Sequence, residues 1–78
     1  MDESDIYARL TEIFKDVFDD VIVATPALSA KDVDGWDSIT HIRLILTVEK
    51  ALRVKFSTSE IGRMETVGDL VASIKART

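Results

Sequence analysis

The sequence predicts an all-α fold, a four-helix bundle with three longer helices, one short third helix and a long first loop. Three observations carry this reading. Apolar residues recur at helical spacing, as in Ile6, Leu10, Ile13 and Val17, and again in Val67, Leu70, Val71 and Ile74. Two start signals, Ser57…Glu60 and Thr66…Asp69, stand directly before the last two segments. No stretch alternates apolar and polar residues cleanly enough to be a strand. With 78 residues, the chain is expected to form a single domain over residues 1–78 with a modest core.

The first helix is read from its stripe of Ile6, Leu10, Ile13 and Val17, with Phe14 beside it. Asp2 or Ser4 can cap its start by accepting a first-turn N–H. Asp19 and Asp20 sit badly at the negative end of a helix dipole, so the helix should end near Phe18. Residues 19–37 include Thr25-Pro26 and Asp34-Gly35 and read as a loop, long for a compact domain. Val21, Ile22, Val23, Leu28, Val33 and Trp36 make it too apolar for a free linker. It should pack over the bundle, with a short helical turn near Ser29–Val33. The second helix starts at Asp37-Ser38 and runs to about Leu52. The third, opened by the Ser57/Glu60 box, is short and weakened by Gly62. The fourth follows Thr66 and ends near Lys75 and Arg77, whose charges suit a helix C-terminus. The expected core is Leu10, Phe14, Val17, Ile45, Val48, Leu52, Val67, Leu70 and Val71. Trp36 is expected to anchor the loop against the bundle.

Composition narrows the function. The absence of cysteine excludes disulfides and thiolate metal sites, and one histidine cannot build a zinc site. An apolar fraction of 46% argues against disorder. No apolar run approaches the ~18 residues of a membrane span, and the acidic start Met1-Asp2-Glu3-Ser4-Asp5 is unlike a secretory leader. A soluble, cytoplasmic monomer without a membrane partner is expected. The net charge is −4 but uneven. Residues 1–37 hold ten acids against three bases, and residues 38–78 hold seven bases against four acids. An acidic chain argues against nucleic acid as a partner.

The second helix carries two apolar faces. Leu44, Ile45, Val48 and Leu52 share one side. Ile39, Ile42 and Leu46 share another, with Arg43, Lys50 and Arg53 around them. One stripe suffices to join a bundle. The other is either covered by the long loop or exposed as a docking strip. At the start of this helix, Asp37 can be a simple N-cap. Ser38 can equally be a phosphorylation-like attachment point, since a helix N-terminus offers N–H donors and positive potential to a phosphate.

The segment Asp34-Gly35-Trp36-Asp37-Ser38-Ile39 resembles the attachment motif of acyl carrier proteins, usually Asp-Ser-Leu, with isoleucine in place of leucine. The likeness extends through Thr40–Ile45, Val48-Glu49, Val54–Ser57 and Thr66–Leu70, and is looser over residues 1–33. The resemblance implies a carrier and not an enzyme. It implies 4'-phosphopantetheine, from coenzyme A, attached covalently to Ser38 by a phosphopantetheinyl transferase, with Asp37 supporting loading. Acyl groups would then be held as thioesters for acyl-activating, acyltransferase or synthase enzymes of fatty-acid, polyketide or nonribosomal peptide biosynthesis. Fatty-acid carriers of this family have a strongly acidic second helix. Here residues 38–53 carry Arg43, Lys50 and Arg53 against Glu49, which resembles carriers of specialised pathways. Partner docking is expected over Ile39, Ile42 and Leu46, rimmed by Arg43, Lys50 and Arg53.

Three rival readings are weaker. Ser38 and His41, three apart on one helix, could pair as nucleophile and base, but a domain this small has little room for a substrate cleft, and His41 is expected at the solvent edge. Asp32, Asp34 and Asp37 cluster, but a calcium loop starting at Asp32 requires glycine and glutamate where Asp37 and Arg43 stand. A small helical protein–protein interaction module without a cofactor is the alternative that the residues themselves leave open.

Overall fold

The computed structural model describes residues 2–77. Its four α-helices are α1 (Glu3–Phe18), α2 (Ser38–Leu52), α3 (Thr58–Arg63) and α4 (Val67–Lys75). A single 3₁₀ turn, Ala30–Asp32, lies in the first loop. No strand is present among the described residues, and the lone β-bridge joins Ser29 to Thr66.

Each helix starts where a side chain can satisfy its orphan N–H groups. Asp2 caps α1, accepting the Asp5 N–H at 2.9 Å. Ser57 with Glu60, and Thr66 with Asp69, form reciprocal capping boxes on α3 and α4. The expected helical turn near Ser29 is also present, where the Asp32 carboxylate accepts the Ser29 N–H at 3.0 Å and the Ser29 hydroxyl at 3.4 Å. Helix α1 stops at Phe18 because Asp19 turns into the left-handed region, φ 53°.

Helix α1 packs on α2 and α4. Ile6, Leu10 and Phe14 from α1 meet Leu44, Ile45 and Val48 from α2, and Val67, Leu70, Val71 and Ile74 from α4. Complete burial of each large apolar side chain contributes about 1.5–3 kcal/mol. Seven of the nine expected core residues are buried. Val17 and Leu52 are only half-buried, packed against the core from its edge. Both lie in the last turn of their helices. Helix α3 has no fully buried residue.

The long loop completes the core with Ala24, Val33 and Trp36. It is also tied down through its backbone. The Thr11 hydroxyl accepts the Ala24 N–H at 3.1 Å. The first N–H groups of α4 donate to loop carbonyls, Val67 to Leu28 at 2.8 Å and Gly68 to Pro26 at 3.0 Å. A β-carbon at position 68 would stand 3.0 Å from the Pro26 oxygen. Glycine is what lets the two backbones meet.

Arg77 closes the other end. Its Nε donates to the Lys55 carbonyl at 2.6 Å, its Nη1 to Ser73, and its Nη2 pairs with Glu60, while the guanidinium lies over the Phe56 ring. The Arg77 hydrogen bond, with the Ser57 N–H, holds the Glu60 carboxyl at about 2. That value is below the unfolded one near 4.5, so the contribution to stability is complete above about pH 4.5 and is lost as pH falls towards about 2. Glu60→Gln should therefore lower the Tm by a few degrees at neutral pH. In thermal melts the gap to the parent should narrow steadily as pH drops from about 6 to about 3. A gap independent of pH would mean that packing, not charge, was lost.

Candidate functional site

The approach to α2 is a tight turn between two buried anchors, Val33 and Trp36. Gly35 sits at φ +86°, a conformation that side chains oppose. The Trp36 N–H donates to the Val33 carbonyl at 3.3 Å. Asp37 then caps the helix. Its Oδ1 accepts both the Thr40 N–H and the Thr40 hydroxyl at 2.9 Å. These bonds, the backbone N–H foremost, hold its carboxyl below the ordinary carboxylate range, so it stands as an anion at the start of the helix.

Ser38 is the first residue of α2 and is exposed. Its hydroxyl makes no hydrogen bond within the described residues. A free hydroxyl on the first turn of a 15-residue helix faces the positive end of the dipole. A phosphate ester at this oxygen would meet no opposing buried group.

Trp36 and His41 hold this corner together. The Trp36 ring packs edge-on against Phe14, centroids 5.5 Å apart, and lies 5.9 Å from Phe18. Its Nε1 donates to His41 Nδ1 at 3.2 Å. His41 Nε2 lies 3.0 Å from the Ile61 carbonyl in α3. A carbonyl only accepts, so Nε2 carries the proton and Nδ1 is the bare acceptor. Both nitrogens are thus engaged, and His41 has nothing free to act as base toward Ser38. The expectation of a solvent-edge histidine is corrected: His41 is half-buried. Its place could be read from the helix register, because 41, 44, 45 and 48 form one stripe.

Ser38, Asp37, Trp36 and His41 share a cleft of about 630 Å³ with Met64 and Thr66 from the α3–α4 connection. Met64 was not singled out in the sequence, since nothing local ties it to a serine 26 positions earlier. The second apolar strip of α2 stands clear of the first loop: Ile39 is 79% exposed, Ile42 54% and Leu46 57%. Together with Arg43, Thr47 and Lys50 they line a shallow depression. Arg53, at the left-handed C-cap of α2 with φ 56°, is exposed and lines a neighbouring hollow with Leu46 and Lys50.

No protein-family model matches the chain. The structure is similar to the solution structure of a holo acyl carrier protein from Geobacter metallireducens. The TM-score is 0.83 and the identity 41%, over 90% of this chain and 82% of that one. The helical bundle, the Asp37-Ser38 helix start and this degree of identity agree: the chain belongs to the acyl carrier protein family.

Proposed function

We propose that this chain carries acyl groups as thioesters on a phosphopantetheine arm attached to Ser38. The observation that carries the reading is the exposed, unengaged Ser38 hydroxyl on the first turn of α2, in a chain 41% identical to a holo acyl carrier protein. The residues present fit the group. The Ser38 oxygen would hold the phosphodiester, the helix N-terminus favours its charge, and the adjoining cleft gives the arm room. The arm supplies a thiol whose thioester keeps an acyl carbon electrophilic. The chain's own part is to present Ser38, with Asp37 fixing the first turn and supporting loading. As a carrier and not an enzyme, it works through a phosphopantetheinyl transferase and through acyl-activating, acyltransferase or synthase enzymes.

We further propose that these enzymes dock over Ile39, Ile42 and Leu46, rimmed by Arg43, Lys50 and Arg53. The exposure of the three apolar side chains supports this. Apolar anchors supply most of the energy at such a patch, and rim charges set approach rate and partner choice. The basic rim favours neutral or acidic enzyme surfaces, and so polyketide or nonribosomal peptide assembly over housekeeping fatty-acid synthesis. No described helix is long and apolar enough to cross a membrane.

Intact mass after incubation with coenzyme A and a broad-specificity transferase tests the attachment. The parent should gain one phosphopantetheine, and Ser38→Ala should fold normally and gain none. Uptake by Ser38→Ala would move the site, and an unmodified parent would leave a cofactor-free interaction module.

Trp36→Ala should cost about 3–5 kcal/mol of stability, the usual loss for a truncated core aromatic, and should slow loading at the same time. Slower loading with an unchanged Tm would instead make Trp36 a direct recognition contact.

The double reversal Arg43→Glu, Lys50→Glu should slow association with the chain's own acyl-transferring enzymes by about tenfold at low salt. The effect should shrink above ~0.1 M salt, where screening acts over about 10 Å. Unchanged rates with every partner would exclude α2 as the docking face. Loading has to be assayed separately, because the transferase can also contact this helix.

A further inference from the structure

We propose that His41 is a positioning residue for modification of Ser38, latching Trp36 and the serine-bearing turn to α2 and α3. The inference rests on the reading of Ser38 as the attachment site.

The geometry gives His41 a reach that no other residue of the corner has. Through Nδ1 it accepts from Trp36, whose ring rests on Phe14 and Phe18 of α1. Through Nε2 it donates to the Ile61 carbonyl, which also receives the Met64 N–H that closes α3. One imidazole therefore joins α1, the serine-bearing turn, α2 and α3. Helix α3 has no fully buried side chain and is otherwise tied through Glu60 to Arg77, and Trp36 is only two residues from Ser38. The indole N–H is a donor and nothing else. A side chain without an acceptor at position 41 would leave the donor of a tryptophan that is only 9% exposed without its partner.

Two substitutions separate the hydrogen bonds from the shape. In His41→Gln an amide oxygen can accept from Trp36 and an amide nitrogen can donate to Ile61. His41→Phe keeps the ring and loses both bonds. Parent and each variant are mixed in equal amounts with limiting transferase and coenzyme A, and loaded fractions are read by intact mass. His41→Gln should load like the parent, whereas His41→Phe should load about tenfold slower. Trp36→Phe, which removes the indole donor, should add nothing to that deficit in the double variant. A His41→Phe variant that loads like the parent, a His41→Gln variant as slow as His41→Phe, or deficits that multiply in the double variant would each overturn the latch. If the parent takes up no phosphopantetheine at all, the Ser38 reading fails by itself. The latch is then decided by the indole N–H resonance of Trp36, the single tryptophan. That resonance should move in unmodified His41→Phe and stay near its parent position in His41→Gln. A resonance unmoved in His41→Phe overturns the latch.

Discussion

Two backbone hydrogen bonds, from Val67 and Gly68 at the start of α4 to Leu28 and Pro26 in the long loop, govern how the rest of the chain is arranged. A helix leaves its first N–H groups without internal partners, and most helices give them to water or to a cap. Here α4 spends two of them on the loop, and Thr66 with Asp69 serves others. The loop is thereby held across the bundle, and its apolar residues Ala24, Val33 and Trp36 become part of the core. Only with that segment fixed does the Gly35 turn deliver Ser38 at a defined place. A domain of 78 residues has little apolar surface to spare, and converting the loop into a wall of the core is one way to make enough.

The charge distribution follows the same division of labour. The acidic first half supplies α1 and the loop, and the basic second half supplies most of α2 and the segments beyond it. Within α2 the buried stripe of Leu44, Ile45 and Val48 joins the bundle, and the opposite strip with Arg43 and Lys50 stays in solvent. The cationic edge of that strip bears little on folding, because exposed charges contribute weakly to stability.

Much of this was legible in the sequence because the signals are local. Capping pairs such as Ser57 with Glu60 lie three residues apart, and the apolar stripes repeat within a few turns, so the helix boundaries and most of the core follow from neighbours in the chain. The serine at a helix start is equally local. What the sequence left open depends on distant segments. Whether the loop covers Ile39, Ile42 and Leu46 is decided by where α4 holds that loop. His41 was expected at the solvent edge because one of its two partners, Ile61, is twenty residues away. Val17 and Leu52 keep the correct periodicity but pack only at the edge of the core, and how deeply a given turn is covered depends on other segments that periodicity does not encode.

The thin attachment of α3 has a dynamic consequence. Proteins open in segments, and those with the least buried apolar surface open at the lowest free energy. Helix α3 is six residues long and is moored by the Glu60 pair with Arg77 and by the Ile61 carbonyl, with Ile61 only partly buried. Its amides should exchange with solvent well before those of α1 or α4. The cleft beside Ser38 is bordered on that side by Met64, the residue that ends α3. The width of the cleft is therefore a thermally fluctuating quantity, set by a local opening equilibrium that leaves the three-helix core intact.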